Sequence, residues 1–265
     1  MARRGDPMLM ISSMATLALF LLAQCMTIAY AANRPEVDVS LFGAKGDGAT
    51  DDTKSLQKAL TDCSTKGFIC KIPSGKNFLV TSPIYIWGDG SLTAENGQGS
   101  ITFNVASSPY LLNVGISGRD RLEKPFAGVI SGVKFKVIGG KGGRIIFFWR
   151  TDGAGIFNNI FDVGVYAYSA TSSGNDNAWV KNGFANTIRK NVTITGNTII
   201  ATSDSTGSEG IGLGHFDGAL ISGNTVTGVG DDPIGIHFCK NVKILGNALE
   251  SVDGRLFVVN SRHVQ

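Results

Sequence analysis

Two adjacent carboxylates, Asp231 and Asp232, stand between Gly230 and Pro233 and are followed in the same stretch by His237. Neighbouring residues of a strand point to opposite faces, so both carboxylates reach one cleft only from a turn, and Gly230 and Pro233 supply one. Crowded carboxylates oppose each other's ionisation. One is left protonated and another ionised, which is the pair that general acid and general base chemistry requires. The same oxygens could instead ligate Ca²⁺. A purely structural reading also stands, because Asp and Gly make turns. Ile234, Ile236 and Phe238 share a parity and are expected to face a core, so His237 is expected to face outward beside the acidic turn. His215 shares the parity of Ile211 and Leu213 and is expected to be a buried or turn histidine.

The elements that must position these groups are written as an internal repeat. Asn191-Val192-Thr193-Ile194-Thr195-Gly196-Asn197, Gly218-Ala219-Leu220-Ile221-Ser222-Gly223-Asn224 and Asn241-Val242-Lys243-Ile244-Leu245-Gly246-Asn247 read alike. Their closing asparagines are 27 and 23 residues apart by subtraction. A looser copy, Gly155-Ile156-Phe157-Asn158-Asn159, lies 38 residues before Asn197, with the polar stretch 171–177 absorbing the excess, and residues 130–133 offer a still earlier one. A period in the twenties made of strands and turns, with no recurring helix, predicts a parallel β-coil in which each coil is covered only by the next. Asn159, Asn197, Asn224 and Asn247 are then expected to stack as a ladder about 4.8 Å per rung. The same shifts stack Asp152, Lys190, Asp217 and Lys240 into a row of alternating charge, and place Glu209 over Asp232. A shift of 22 would bring Asp253 near Asp231.

Composition agrees with an all-β architecture. The 265 residues are 43% hydrophobic and 17% charged, with 35 glycines but no collagen-like period. A net charge of +3 with no run of like charge gives no indication of nucleic acid. The only convincing helix follows Thr50, Asp51 and Asp52, any of which can cap it, and carries Leu56, Ala59, Leu60 and Cys63 on one stripe. Arg3 and Arg4, an apolar stretch from Met8 to about Tyr30 and the small-residue site Ala29-Tyr30-Ala31 predict a signal peptide over 1–31. An uncleaved membrane anchor is the alternative reading of that stretch. The remainder, 32–265, is expected to form one domain with an N-terminal cap over about 37–75 and coils over about 76–265. Export predicts a secreted or periplasmic protein with no membrane contact after cleavage. Cys63 and Cys70 flank a short loop and could pair there, leaving Cys239 as a buried thiol. No Cys or His spacing of a metal site is present.

The segment from Leu41 to Asp52, Leu-Phe-Gly-Ala-Lys-Gly-Asp-Gly-Ala-Thr-Asp-Asp, followed by the amphipathic helix and by Lys71-Ile72-Pro73-Ser74-Gly75, resembles the N-terminal opening of the pectate-lyase-like superfamily. That superfamily includes polygalacturonases, rhamnogalacturonases and related epimerase-like proteins. The resemblance implies a right-handed single-stranded parallel β-helix with an N-terminal capping helix, and a polysaccharide partner. Gly230-Asp231-Asp232 resembles the Gly-Asp-Asp of polygalacturonases. Thr151-Asp152-Gly153 resembles their Asn-Thr-Asp-Gly, although Arg150 stands where that motif starts and the charge row explains Asp152 without catalysis. Their Gly-His-Gly and Arg-Ile-Lys motifs are missing.

The preferred reading is hydrolysis of an acidic polysaccharide, pectin or an exopolysaccharide, with Asp231 and Asp232 as acid and base, Glu209 tuning them and His237 assisting. It requires no cofactor. Lys240, Lys243 and Arg255 are candidates for meeting substrate carboxylates. A lyase or epimerase would instead use Ca²⁺ to hold the uronate, and a non-catalytic glycan-binding protein would keep the fold alone. The chain stops soon after residues 256–259 without a recognisable solenoid cap, which predicts either a longer protein or an oligomer formed through that end.

Overall fold

Glycine-punctuated apolar runs become strands, and the strands wind into the expected parallel β-helix. The computed structural model describes residues 34–95, 97–106, 108–116, 124–139, 143–164, 169–172, 189–201, 209–251, 256–259 and 261–265. Glu36–Gln265 form one compact unit. No helix among the described residues is long and apolar enough to cross a membrane.

Each full coil contributes one strand to each of three parallel sheets, as Phe216–Ser222, Thr225–Val229 and Ile234–His237 do. Among the described residues the first sheet has nine strands, the second eight and the third seven. The shifts read from the sequence are the registers found: Gly155 pairs with Thr193, Lys190 with Asp217, Asp217 with Lys240, and Ile211 with Ile234. Side chains of one parity point inward and stack coil on coil. In the second sheet Phe103, Phe135 and Phe161 form such a column, with ring centres 6.5 and 5.2 Å apart. On the last coil Leu249, Leu256 and Val258 continue the rows of buried Val226, Ile234 and Ile236 but are exposed.

The corner between the first and second sheets is held by the asparagine ladder. Asn197 donates its amide to Asn224 Oδ1 at 2.9 Å and to the Ile156 carbonyl at 2.9 Å, while its backbone N–H reaches the same Asn224 oxygen at 3.0 Å. Asn159 and Asn224 repeat the pattern on Asn197 and Asn247. A buried turn is thereby satisfied by side chains one coil away. The residue before each Asn has positive φ, which Gly196, Gly223 and Gly246 adopt freely.

The capping helix spans Thr53–Lys66 and buries the stripe of Leu56, Ala59, Leu60 and Cys63. Asp52 precedes it but does not cap it. Its buried carboxylate instead accepts hydrogen bonds from the Lys45 and Gly46 amides, tying the glycine turn to the helix start. Asp51 Oδ1 accepts from the Thr53 amide at 3.0 Å. The Cys63–Cys70 disulfide pins the last helical turn to the strand Ile69–Ile72, and Cys239 is a buried free thiol.

Phe238 corrects one expectation. It does not continue the inward parity of Ile234 and Ile236 but is 42% exposed, with φ of 53°. The strand ends at His237, and the left-handed turn swings the next side chain out against His215, whose ring stacks on it at 5.3 Å.

Candidate active site

The third sheet brings Glu209 and His237 together. Gly212 and Gly235 are register partners whose neighbours Ile211, Leu213, Ile234 and Ile236 all point into the core. The glycines therefore face outward and leave a patch of sheet without side chains. A Cβ on Gly235 would lie 3.1 Å from His237 Nε2 and 3.6 Å from Glu209 Oε1. Both functional side chains lean over that empty position, and any larger residue there would crowd them. Nε2 and Oε1 are 3.8 Å apart, too far for a direct hydrogen bond, with the side chains 13% and 27% exposed respectively.

The acidic turn lies beside them. The Gly210 amide donates to the Asp232 carbonyl at 3.2 Å and the Ile211 amide to the Pro233 carbonyl at 3.0 Å, so Asp232 continues the row of Glu209 one coil on. Asp231 is exposed and Asp232 half-buried. Burial pushes the Glu209 carboxyl above the ordinary range; the Asp231 and Asp232 charges push the same way, against the pull of Arg144. His237 is pushed down by burial, although both aspartates favour its cation. An imidazole less basic than usual thus stands beside a carboxyl less acidic than usual, with two further carboxylates within electrostatic reach. That set can donate a proton from one carboxyl and accept one at another.

Other candidates fall elsewhere. Lys240 and Lys243 lie on the first sheet, not the third, and Lys240 pairs with Asp217 at 3.0 Å. Asp152 bridges to Lys190 in register and accepts from Asn191 Nδ2 at 3.1 Å, as the charge row requires. His215 is a half-buried turn histidine with φ of 59°. Arg255 and Asp253, and most of the stretch 171–177, lie outside the described residues. Among the described residues no three His, Cys, Asp or Glu side chains converge to hold a metal ion.

Sequence reasoning missed a second group on the same face. Tyr110 stacks on Phe147 with ring centres 3.8 Å apart, and Trp149 packs edge-on against both, at 5.5 and 5.0 Å. Trp149 Nε1 donates to Asn113 Oδ1 at 2.7 Å. Arg144 is the register partner of Tyr110 and of Ser169, and Ser169 pairs with Glu209. The only trace in the sequence is the cluster of aromatics at 147–149 with an arginine before it.

The coils define a member of the pectate-lyase-like superfamily of parallel β-helix proteins. The chain belongs to the family described as rhamnogalacturonase A/epimerase, pectate lyase-like, whose sequence model matches residues 37–255. Local similarity reaches two plant polygalacturonases. One, from Persea americana, is 46% identical over 48 residues, which are 17% of this chain and 10% of that protein. The other, from Arabidopsis thaliana, is 40% identical over 76 residues, 28% of this chain and 18% of that protein. The matches thus span less than a fifth of either relative. A solved structure of a candidate glycosyl hydrolase from Parabacteroides merdae superimposes with a TM-score of 0.53 at 14% identity, covering 84% of this chain and 98% of that one. At that identity the likeness concerns the fold.

Proposed function

We propose that this protein is an exported glycoside hydrolase of polygalacturonase type that cleaves an acidic polysaccharide at the outer face of the third sheet. The observation that carries the reading is Glu209, held above the ordinary carboxyl range beside two aspartates that lie across the same turn. Glu209 protonates the glycosidic oxygen as the bond to the anomeric carbon breaks. An aspartate, Asp231 or Asp232, acts as the base and takes the proton of the water that adds to that carbon. His237, its Nε2 3.8 Å from Glu209 Oε1, assists by its proximity and not through a direct hydrogen bond. No metal enters these steps. The plant relatives, polygalacturonases by name, support a polyuronate such as pectin as substrate, and the Cys63–Cys70 disulfide supports an oxidising, extracytoplasmic location.

A second reading is favoured by His237, whose depressed basicity keeps it neutral and able to take the C5 proton of a uronate. That is the first step of a lyase or epimerase, with Ca²⁺ or an arginine holding the carboxylate. The pH profile separates the two. With Glu209 as donor, release of reducing ends falls as pH rises through its elevated pKa and drops about 10²- to 10⁴-fold in Glu209→Gln. With His237 as base, activity rises with pH and survives in Glu209→Gln.

A further inference from the structure

We propose that Arg144 and Tyr110 form a subsite for a uronate residue of the polysaccharide, with the sugar carboxylate on Arg144 and the sugar face against the Tyr110 ring. The subsite deepens the reading of Glu209 as the reacting acid and rests on it. The argument begins with positional equivalence. Tyr110 crosses from the start of its strand onto Phe147, the register partner of Asn113 three residues further along. Glu209 crosses in the same way onto Gly235, the register partner of Gly212. Trp149 follows Phe147 by two residues, as His237 follows Gly235. The aromatic group and the acid group thus occupy the same positions of different coils, on one outer strip. Gly212, the register partner of Gly235, leaves that part of the strip without a side chain.

Arg144 stands between the two groups. Its guanidinium carbon lies 6.0 Å from the Tyr110 ring centre, and its charge reaches Glu209. Two rungs separate Arg144 from Glu209, about 9.6 Å along the axis, so a chain lying on both runs parallel to the solenoid. Arg144 is half-buried, its Nε is fully covered and makes no hydrogen bond, and no carboxylate pairs with it among the described residues. A covered guanidinium nitrogen without an acceptor loses hydration without compensation. A uronate carboxylate supplies both the acceptor and the opposite charge, which a neutral sugar or a methyl ester does not. The Tyr110 ring offers an apolar face for the sugar C–H groups.

The test titrates an unbranched oligogalacturonate, and separately its methyl ester, into the full protein carrying Glu209→Gln, so that binding is read without turnover. The free acid should bind about tenfold more tightly than the ester. Adding Arg144→Gln should remove that preference while leaving the affinity for the ester unchanged and without lowering the melting temperature. Arg144→Lys, which keeps charge but not the fork, should restore part of it. Undiminished affinity for the acid in a folded Arg144→Gln protein overturns the assignment. If Arg144→Gln does not fold, the parent decides: equal affinity for acid and ester overturns it. A parent that binds neither, yet remains folded, refutes the polyuronate reading itself and not this subsite alone.

Discussion

Glu209 and His237 meet over Gly235 in surroundings that disfavour charge on both. The carboxyl's stability effect has a definite sign. Its pKa is raised in the folded protein, so its favourable contribution is complete below the unfolded value of about 4.3 and is lost as pH rises through the folded value. Glu209→Gln should therefore melt at a higher temperature than the parent at pH 7, and the difference should shrink toward pH 4; a parent that is more stable at pH 7 contradicts the burial argument. Asp152 presents the opposite case. Despite its motif-like neighbours it belongs to a charge row on the first sheet, so Asp152→Asn should leave turnover intact and cost no more than about 1 kcal/mol in urea unfolding. The sequence made that outcome legible, because the shift of 38 residues laid Asp152 beside Lys190. It did not make Arg144 and Tyr110 legible. No asparagine landmark spans residues 110–144, and the bend that turns Tyr110 onto the outer face belongs to the start of its strand, where alternation no longer predicts direction.

Among the elements, the corner turns carry more of the specification than the strands. Asn224 is buried, donates to Asn247 Oδ1 and the Ile194 carbonyl, and accepts from both nitrogens of Asn197. Asn224→Ala leaves several of these groups without partners in a place water does not reach. It should cost roughly 3 kcal/mol in denaturant unfolding, by the penalty for buried unsatisfied groups. Asn247→Ala, at the less buried end of the ladder, should cost less; equal costs contradict a ladder whose strength lies in burial. The ladder was readable because its asparagines recur at fixed offsets from an apolar strand. Phe238 was misread for the complementary reason. Parity holds only within a strand, and one left-handed residue after His237 reverses it. The apolar stripe locates the helix, whereas the sequence offers Asp52 only as a cap candidate, since bonds to Lys45 and Gly46 depend on the tertiary fold of the glycine turn.

For the whole molecule, stacking parallel coils aligns equivalent positions into long strips, and the outer strip of the third sheet collects Tyr110, Arg144, Glu209, Asp232 and His237 from stretches far apart in sequence. Such a strip suits an extended polymer, and its arginine suits one that carries carboxylates. The most direct test of the central claim is incubation of the protein with polygalacturonate in Ca²⁺ or in EDTA, following new reducing ends together with the absorbance of unsaturated uronates, beside Glu209→Gln. The hydrolase account predicts reducing ends without absorbance, equal in Ca²⁺ and EDTA and abolished by the substitution. Ca²⁺-dependent absorbance, or reducing ends that persist in Glu209→Gln, would contradict it.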